Sequence, residues 1–262
     1  MKTVLVTGAA GGMGQAVCRR LRQKGYQVFG LDIRPAESSG EEIICCDVTD
    51  TDSVLRAKEQ IASRIDHLDA IVHTAGIYDL DSLAEIDEAR FTRIFQINVF
   101  GVYRVNRALL PMMGAGGRVV VITSELAPLN PLPFTGLYAV TKSALDKYAF
   151  SLRSELMLRD ISVTVIRPGA VSTGLLGTSA SALEKFCAGT AYYRPNAANF
   201  KKIVDSVEAR SVPPERVADL VEKALTKRHP RYVYTCNRNP LLLMMSALPD
   251  HLQYWILRQI LK

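Results

Sequence analysis

Tyr138 and Lys142 stand four residues apart at the start of a long helical pattern. Residues at that spacing share a helix face, so the phenol and the ammonium can point into one cleft. A tyrosine ordinarily ionises near pH 10, and to act as a base near neutrality its pKa must fall by roughly 3, worth about 4 kcal/mol. A neighbouring positive charge works in that direction, although the same spacing also occurs on plain helix surfaces. A second candidate lies at the N-terminus, where Thr7-Gly8-Ala9-Ala10-Gly11-Gly12-Met13-Gly14 follows an apolar run and leads straight into a helical pattern. Glycines at such a turn let the backbone approach a pyrophosphate, which then sits on the positive end of the helix. Asp32 closes the second apolar run, 18 residues after Gly14. A carboxylate there accepts hydrogen bonds from a ribose diol and repels a 2′-phosphate, which favours NAD over NADP. The turn holds no basic residue to pair with such a phosphate, while Arg34, two positions on, softens the preference.

These groups need elements to hold them, and the chain supplies an alternation of short β-branched runs and longer helical patterns. The runs are Thr3–Thr7, Gln27–Leu31, Glu42–Cys45, Ala70–His73, Arg118–Thr123 and Ser162–Ile166, with a weaker one at Arg231–Thr235. They are apolar without strict alternation, as suits strands covered on both faces of a parallel sheet. Between them lie helical patterns at Gly14–Gln23, Asp52–Arg64, Glu85–Leu110 and Tyr138–Arg159. The expectation is an α/β fold in one domain over residues 1–262: a doubly wound parallel sheet of about seven strands. Residues 1–173 form the core in this reading, 174–212 a helical lid rich in Ala, Ser and aromatics, and 213–262 the C-terminal helices and an amphipathic extension.

Composition narrows the classes. Of the 262 residues, 48% are apolar and 22% charged, which excludes intrinsic disorder, a coiled coil and a collagen-like repeat. Five cysteines without a C-x-x-C pair argue against a disulfide scaffold or a zinc site and for a reducing, cytoplasmic setting. No other cluster suggests a metal. The start lacks the charged lead and long apolar stretch of a secretory signal. The late apolar stretch Leu241–Leu248, bracketed by Pro240 and Pro249, falls far short of the ~20 residues a membrane-spanning helix needs. From Lys227 onward six basic residues face Asp250 alone, giving +5 of the chain's +6. The basic residues are not interleaved with stacking aromatics, so nucleic acid is not the expected partner. Leu252, Trp255, Ile256 and Ile260 fall near one helical face beside Arg258 and Lys262, a face suited to capping a substrate, packing on a partner or touching a membrane surface.

Taken together these residues resemble the short-chain dehydrogenase/reductase family along nearly the whole chain. Thr7, Gly8, Gly12, Met13 and Gly14 match its glycine turn, and Asp47-Val48 match the acid and its neighbour that meet the adenine ring. His73-Thr74-Ala75-Gly76 stands where the family has Asn-Asn-Ala-Gly; Ala75 and Gly76 keep the main-chain path beside the cofactor, and His73 reads as a structural hydrogen-bonder. The resemblance implies that Asn98 holds a water in a proton relay to Lys142, although an asparagine in a helical run can also bond the helix backbone. It implies that Ser124 binds the substrate oxygen, that Tyr138 carries the proton, and that Lys142 lowers the tyrosine pKa and grips the nicotinamide ribose. Ser124 precedes Tyr138 by 14 positions, one more than the family's usual spacing, and the loop Pro128–Gly136 can absorb the difference. Val171 and Thr173, in Pro168–Thr173, match the block that holds the nicotinamide amide.

The implied activity is hydride transfer between NAD and an alcohol carbon. The lid residues Leu175, Leu176, Phe186, Tyr192, Tyr193 and Phe200 suit either a lipophilic pocket or plain packing. Pro213–Ala218, Arg231-Tyr232 and the apolar-basic tail resemble the retinol- and hydroxysteroid-oxidising branch, with a homodimer or homotetramer expected. A 3-oxoacyl-thioester reductase and a non-catalytic dinucleotide sensor are the alternatives. Asp32 argues against the first, which usually takes NADPH, and the presence of both Tyr138 and Lys142 argues against the second.

Overall fold

Apolar runs become strands here because both of their faces are covered. A computed structural model describes residues 1–34 and 43–262, apart from the side chains at 175–179 and 207–208. Among the described residues the strands are β1 Thr3–Thr7, β2 Gln27–Asp32, β3 Ile43–Cys45, β4 Ala70–His73, β5 Arg118–Ile122, β6 Ser162–Pro168 and β7 Val233–Cys236. They form one parallel sheet in the order β3-β2-β1-β4-β5-β6-β7. Glu42, the expected start of the third strand, lies outside the described residues. The helices are α1 Gly12–Gln23, α2 Thr51–Ala62, α3 Glu88–Phe95, α4 Gly101–Leu109, α5 Gly136–Leu156, α6 Gly174–Gly189, α7 Arg194–Glu208, α8 Glu215–Thr226, α9 Pro240–Ser246 and α10 Asp250–Leu261.

Successive strand residues point to opposite faces, and the core divides accordingly. Leu5, Phe29, Val119, Val121 and Val163 pack with α2, α4 and α5 on one side. Val4, Val6, Val28, Val120 and Ile166 pack with α1 and α8 on the other. The strand order reverses between β1 and β4, which opens a crevice beyond their C-terminal ends.

Two expected elements differ. The helix read as Glu85–Leu110 starts instead after Asp87, whose carboxylate accepts from the Arg90 amide, and Glu85 stays outside it. The Glu85 carboxylate accepts hydrogen bonds from the Thr190 hydroxyl and from the Ala191 and Tyr192 amides at 2.7–3.1 Å, tying the link between α6 and α7 to the core. Further on, the pattern is broken by a π-helical turn at Gln96–Phe100 that separates α3 from α4. The second difference is the C-terminal face. Leu252, Trp255 and Ile260 point outward, while Gln253 and Leu261 are buried; Leu261 joins the α6–α7 cluster. Among the described residues no helix is long and apolar enough to cross a membrane.

Candidate active site

The glycine turn is a piece of close backbone packing at the mouth of the crevice. Gly8 has φ +68°, and a Cβ there would lie 2.7 Å from the Ala75 backbone. A Cβ on Gly14 would meet the Gly8 carbonyl oxygen at 2.1 Å. Neither position admits a side chain, so α1 starts directly at the turn. Thr7 fastens it to β4: its hydroxyl accepts from the Ala75 amide, and its carbonyl accepts from Thr74. Asp32 is buried. Its Oδ2 accepts from the Ala10 amide at 3.0 Å, and its Oδ1 accepts from the Arg34 amide and Nε at 3.1 and 3.3 Å. The carboxylate thus braces the turn and pairs with Arg34, beyond the ribose role its position suggests.

The cleft has two halves. Gly8, Gly11, Asp32, Asp47, Val48 and Ala75 line the first. Met13, Ser124, Tyr138, Lys142, Val171 and Thr173 line the second, and Thr74, Gly76 and Ile77 belong to both. Thr7, Gly12 and Gly14 stand behind this surface, Gly12 directly under the Thr173 side chain. The first half has the glycine turn at a helix N-terminus, a carboxylate at the end of β2 and an open floor at Ala75-Gly76; these residues fit a dinucleotide.

Asn98 sits within the π turn and is fully buried. Its Oδ1 accepts from the Ile77 amide at 2.9 Å, while its Nδ2 donates to the Ile77 carbonyl and to Thr141 Oγ1 at 3.0 and 3.1 Å. It therefore clamps the strand-end segment to the helix carrying Lys142, rather than bonding its own helix. His73 is buried with Nε2 2.8 Å from Asn106 Oδ1, and burial lowers its pKa to about 4. It is neutral and structural.

Burial also sets the ionisation of the central pair. It pushes the Tyr138 phenol above its ordinary value; Tyr78 adds to that shift, and the neighbouring Ser124 hydroxyl opposes it. Burial lowers Lys142 to about 8. The ammonium donates to the Ile122 carbonyl at 3.2 Å and lies 5.5 Å from the Tyr138 ring centroid. The expected lowering of the tyrosine pKa by Lys142 is thus not seen in the protein alone, where desolvation dominates the Tyr138 shift. Tyr78, whose ring lies 4.7 Å from that of Tyr138, and Glu125, beside Ser124, also line the second half. Neither was signalled by any spacing. Of the lid residues, Phe200 reaches the cleft, Phe186 packs behind it on Phe134 and Phe200, and Tyr192 is exposed. The side chains of Leu175 and Leu176 lie outside the described residues.

The family model described as short chain dehydrogenase matches residues 2–184. Among curated proteins, 3-ketodihydrosphingosine reductase of Bacteroides thetaiotaomicron is 26% identical over 97% of this chain and 96% of its own. NADPH-dependent 3-dehydrocapnine reductase of Ornithobacterium rhinotracheale is 28% identical, covering 96% of this chain and 94% of its own. Retinol dehydrogenase 16 of Mus musculus is 27% identical over 97% and 88%.

Proposed function

The chain belongs to the short chain dehydrogenase family, and we propose that it is an NAD(H)-dependent oxidoreductase interconverting a lipophilic alcohol, of hydroxysteroid or retinol type, and its carbonyl. The observation that carries the substrate class is the wall of the second half of the cleft. Ile77, Leu126, Leu132, Phe200, Ile203 and Leu242 line it with hydrocarbon around Ser124 and Tyr138. Such a wall gains about 25 cal/mol per Å² from an apolar ligand and offers a sugar few partners. The names of the sphingosine- and retinol-directed relatives support a lipophilic substrate. The NADPH dependence in one relative's name weighs against NAD, and the buried Asp32 carboxylate weighs for it.

A bound nicotinamide dinucleotide supplies or accepts the hydride. Tyr138 holds, at its phenol oxygen, the proton that the reacting oxygen gains or loses; its burial keeps that proton in place for the reducing direction. Ser124 donates a hydrogen bond to the same oxygen as charge develops there. Lys142 holds a positive charge beside the phenol, anchored at the Ile122 carbonyl. Asn98 positions the Ile77 backbone and, through Thr141, the helix turn between Tyr138 and Lys142. Asp47 and Val48 bind the adenine end, and Val171 and Thr173 the nicotinamide amide. Exposed Phe100, Tyr103 and Phe150 on and beside α4 and α5 support a homodimer or homotetramer. Exposed Leu241, Met244, Trp255 and Ile260, beside Arg258 and Lys262, support contact with an anionic membrane surface.

The test is cofactor turnover by the purified protein with NAD or NADP against hydroxysteroids, retinol and 3-hydroxyacyl thioesters. Turnover of a steroid or retinol with NAD is expected. Activity confined to thioesters with NADP overturns both the substrate class and the Asp32 argument, and tight dinucleotide binding without turnover favours a sensor.

A further inference from the structure

Glu125 follows Ser124 just past the end of β5, and both residues line the substrate half of the cleft. Glu125 is only 5% exposed. Its Oε2 accepts from the Asn239 amide at 2.6 Å, and Arg238 acts on it at longer range; among the described residues no ion pair reaches it. Its Oε1 packs against Gly169, where a Cβ would lie 2.8 Å away, and Gly169 also lines the cavity. A carboxylate has room for about four donors. One with a single amide donor, set in an apolar wall, is poorly compensated, and burial accordingly raises its pKa. Tethering Asn239 needs only a neutral acceptor, so the tether does not account for an acidic side chain here. A cation with N–H donors, arriving in the cavity, does.

We propose that Glu125 is the ammonium subsite of the substrate cavity, and that the substrate is a lipophilic amino ketone or amino alcohol with its amine a few bonds from the reacting carbon. Ser124 and Glu125 line the same cavity, which puts the oxygen site and the ammonium site in one compartment. This inference rests on the reading of a lipophilic-carbonyl oxidoreductase above and sets an amine-bearing substrate in place of its steroid or retinol type. A charge-assisted hydrogen bond in a desolvated site makes the amine the preferred partner. The remaining hydrocarbon wall takes the chain.

The test uses a matched pair, 2-aminooctadecan-3-one and octadecan-3-one, each reduced by the full-length protein with NADH and with NADPH. The amino ketone is expected to show a kcat/KM about 10- to 100-fold higher. Glu125→Gln, which keeps an acceptor for Asn239 while removing the charge, is expected to collapse that ratio toward unity. Equal rates for the two ketones in the wild-type protein, or a ratio unchanged in Glu125→Gln, overturn the subsite while leaving the oxidoreductase reading intact. Turnover of neither ketone with either cofactor overturns the lipophilic-carbonyl reading and the subsite with it.

Discussion

The two halves of the cleft are built from different material. The dinucleotide half is centred on main chain: a glycine turn packed on the Ala75 backbone, an amide of that turn held by Asp32, and the ends of β1, β2 and β4. The substrate half is mostly side chain, drawn from residues as far apart as Ile77, Glu125, Phe200 and Leu242. Backbone geometry tolerates few residue types, so the first half leaves a motif. Side-chain walls tolerate many, and the second half leaves little trace in spacing.

By that contrast, substitutions on the first side remove the dinucleotide, and those on the second remove only the substrate. The largest effect is expected at Gly14→Val, whose side chain would meet the rigid Gly8 carbonyl. Stability falls by about 3 kcal/mol or more, and calorimetric titration detects no dinucleotide binding. Binding that survives would mean the turn is not the dinucleotide site.

His73, beneath the same side, gives a pH signature. Its folded pKa, about 4, lies below the ordinary 6.5. The unfolded chain therefore takes up the proton first as pH falls. This contribution to stability is complete above pH 6.5 and is lost between about 6.5 and 4, worth about 3 kcal/mol at 1.36 kcal/mol per pKa unit. Urea denaturation across that range is expected to show the slope in the wild-type protein and a shallower one in His73→Asn; identical slopes would contradict the buried, neutral assignment. Asp32→Ala comes next, raising the ratio of NADP to NAD kcat/KM about 10- to 100-fold by removing the charge opposed to a 2′-phosphate. An unmoved ratio would leave Arg34 in control. The smallest effect belongs to the substrate side. Ile203→Ala trims the hydrocarbon wall and lowers kcat/KM for a lipophilic substrate about tenfold, with dinucleotide affinity kept. Loss of dinucleotide affinity there would break the comparison.

What was legible in the sequence follows the same division. β1 and β4 coincide with their apolar runs, because a strand covered on both faces has no competing pattern. The break in the long helical pattern is carried by Asn98 bonding the distant Ile77 backbone, and periodicity cannot register a partner 21 residues away. Which residues of α10 face the core was not legible, because apolar residues stand on both sides of the helix and only the packing of Leu261 into the α6–α7 cluster decides. Tyr138 and Lys142 were visible as a pair, yet the direction of their pKa shifts was not. Spacing reports proximity and is silent about desolvation, which dominates both. Ser124 shows the opposite case: despite the added loop residue, it lines the same cavity as Tyr138.

The central claim is that Tyr138 carries the proton at a site whose dinucleotide half is independent of it. The most direct test is reduction of a long-chain ketone with NADH by the wild-type protein and by Tyr138→Phe, with dinucleotide affinity measured in parallel. The expected result is a loss of about 100- to 10,000-fold in kcat with the dinucleotide Kd within about twofold. Turnover by Tyr138→Phe close to the wild-type rate would contradict the account.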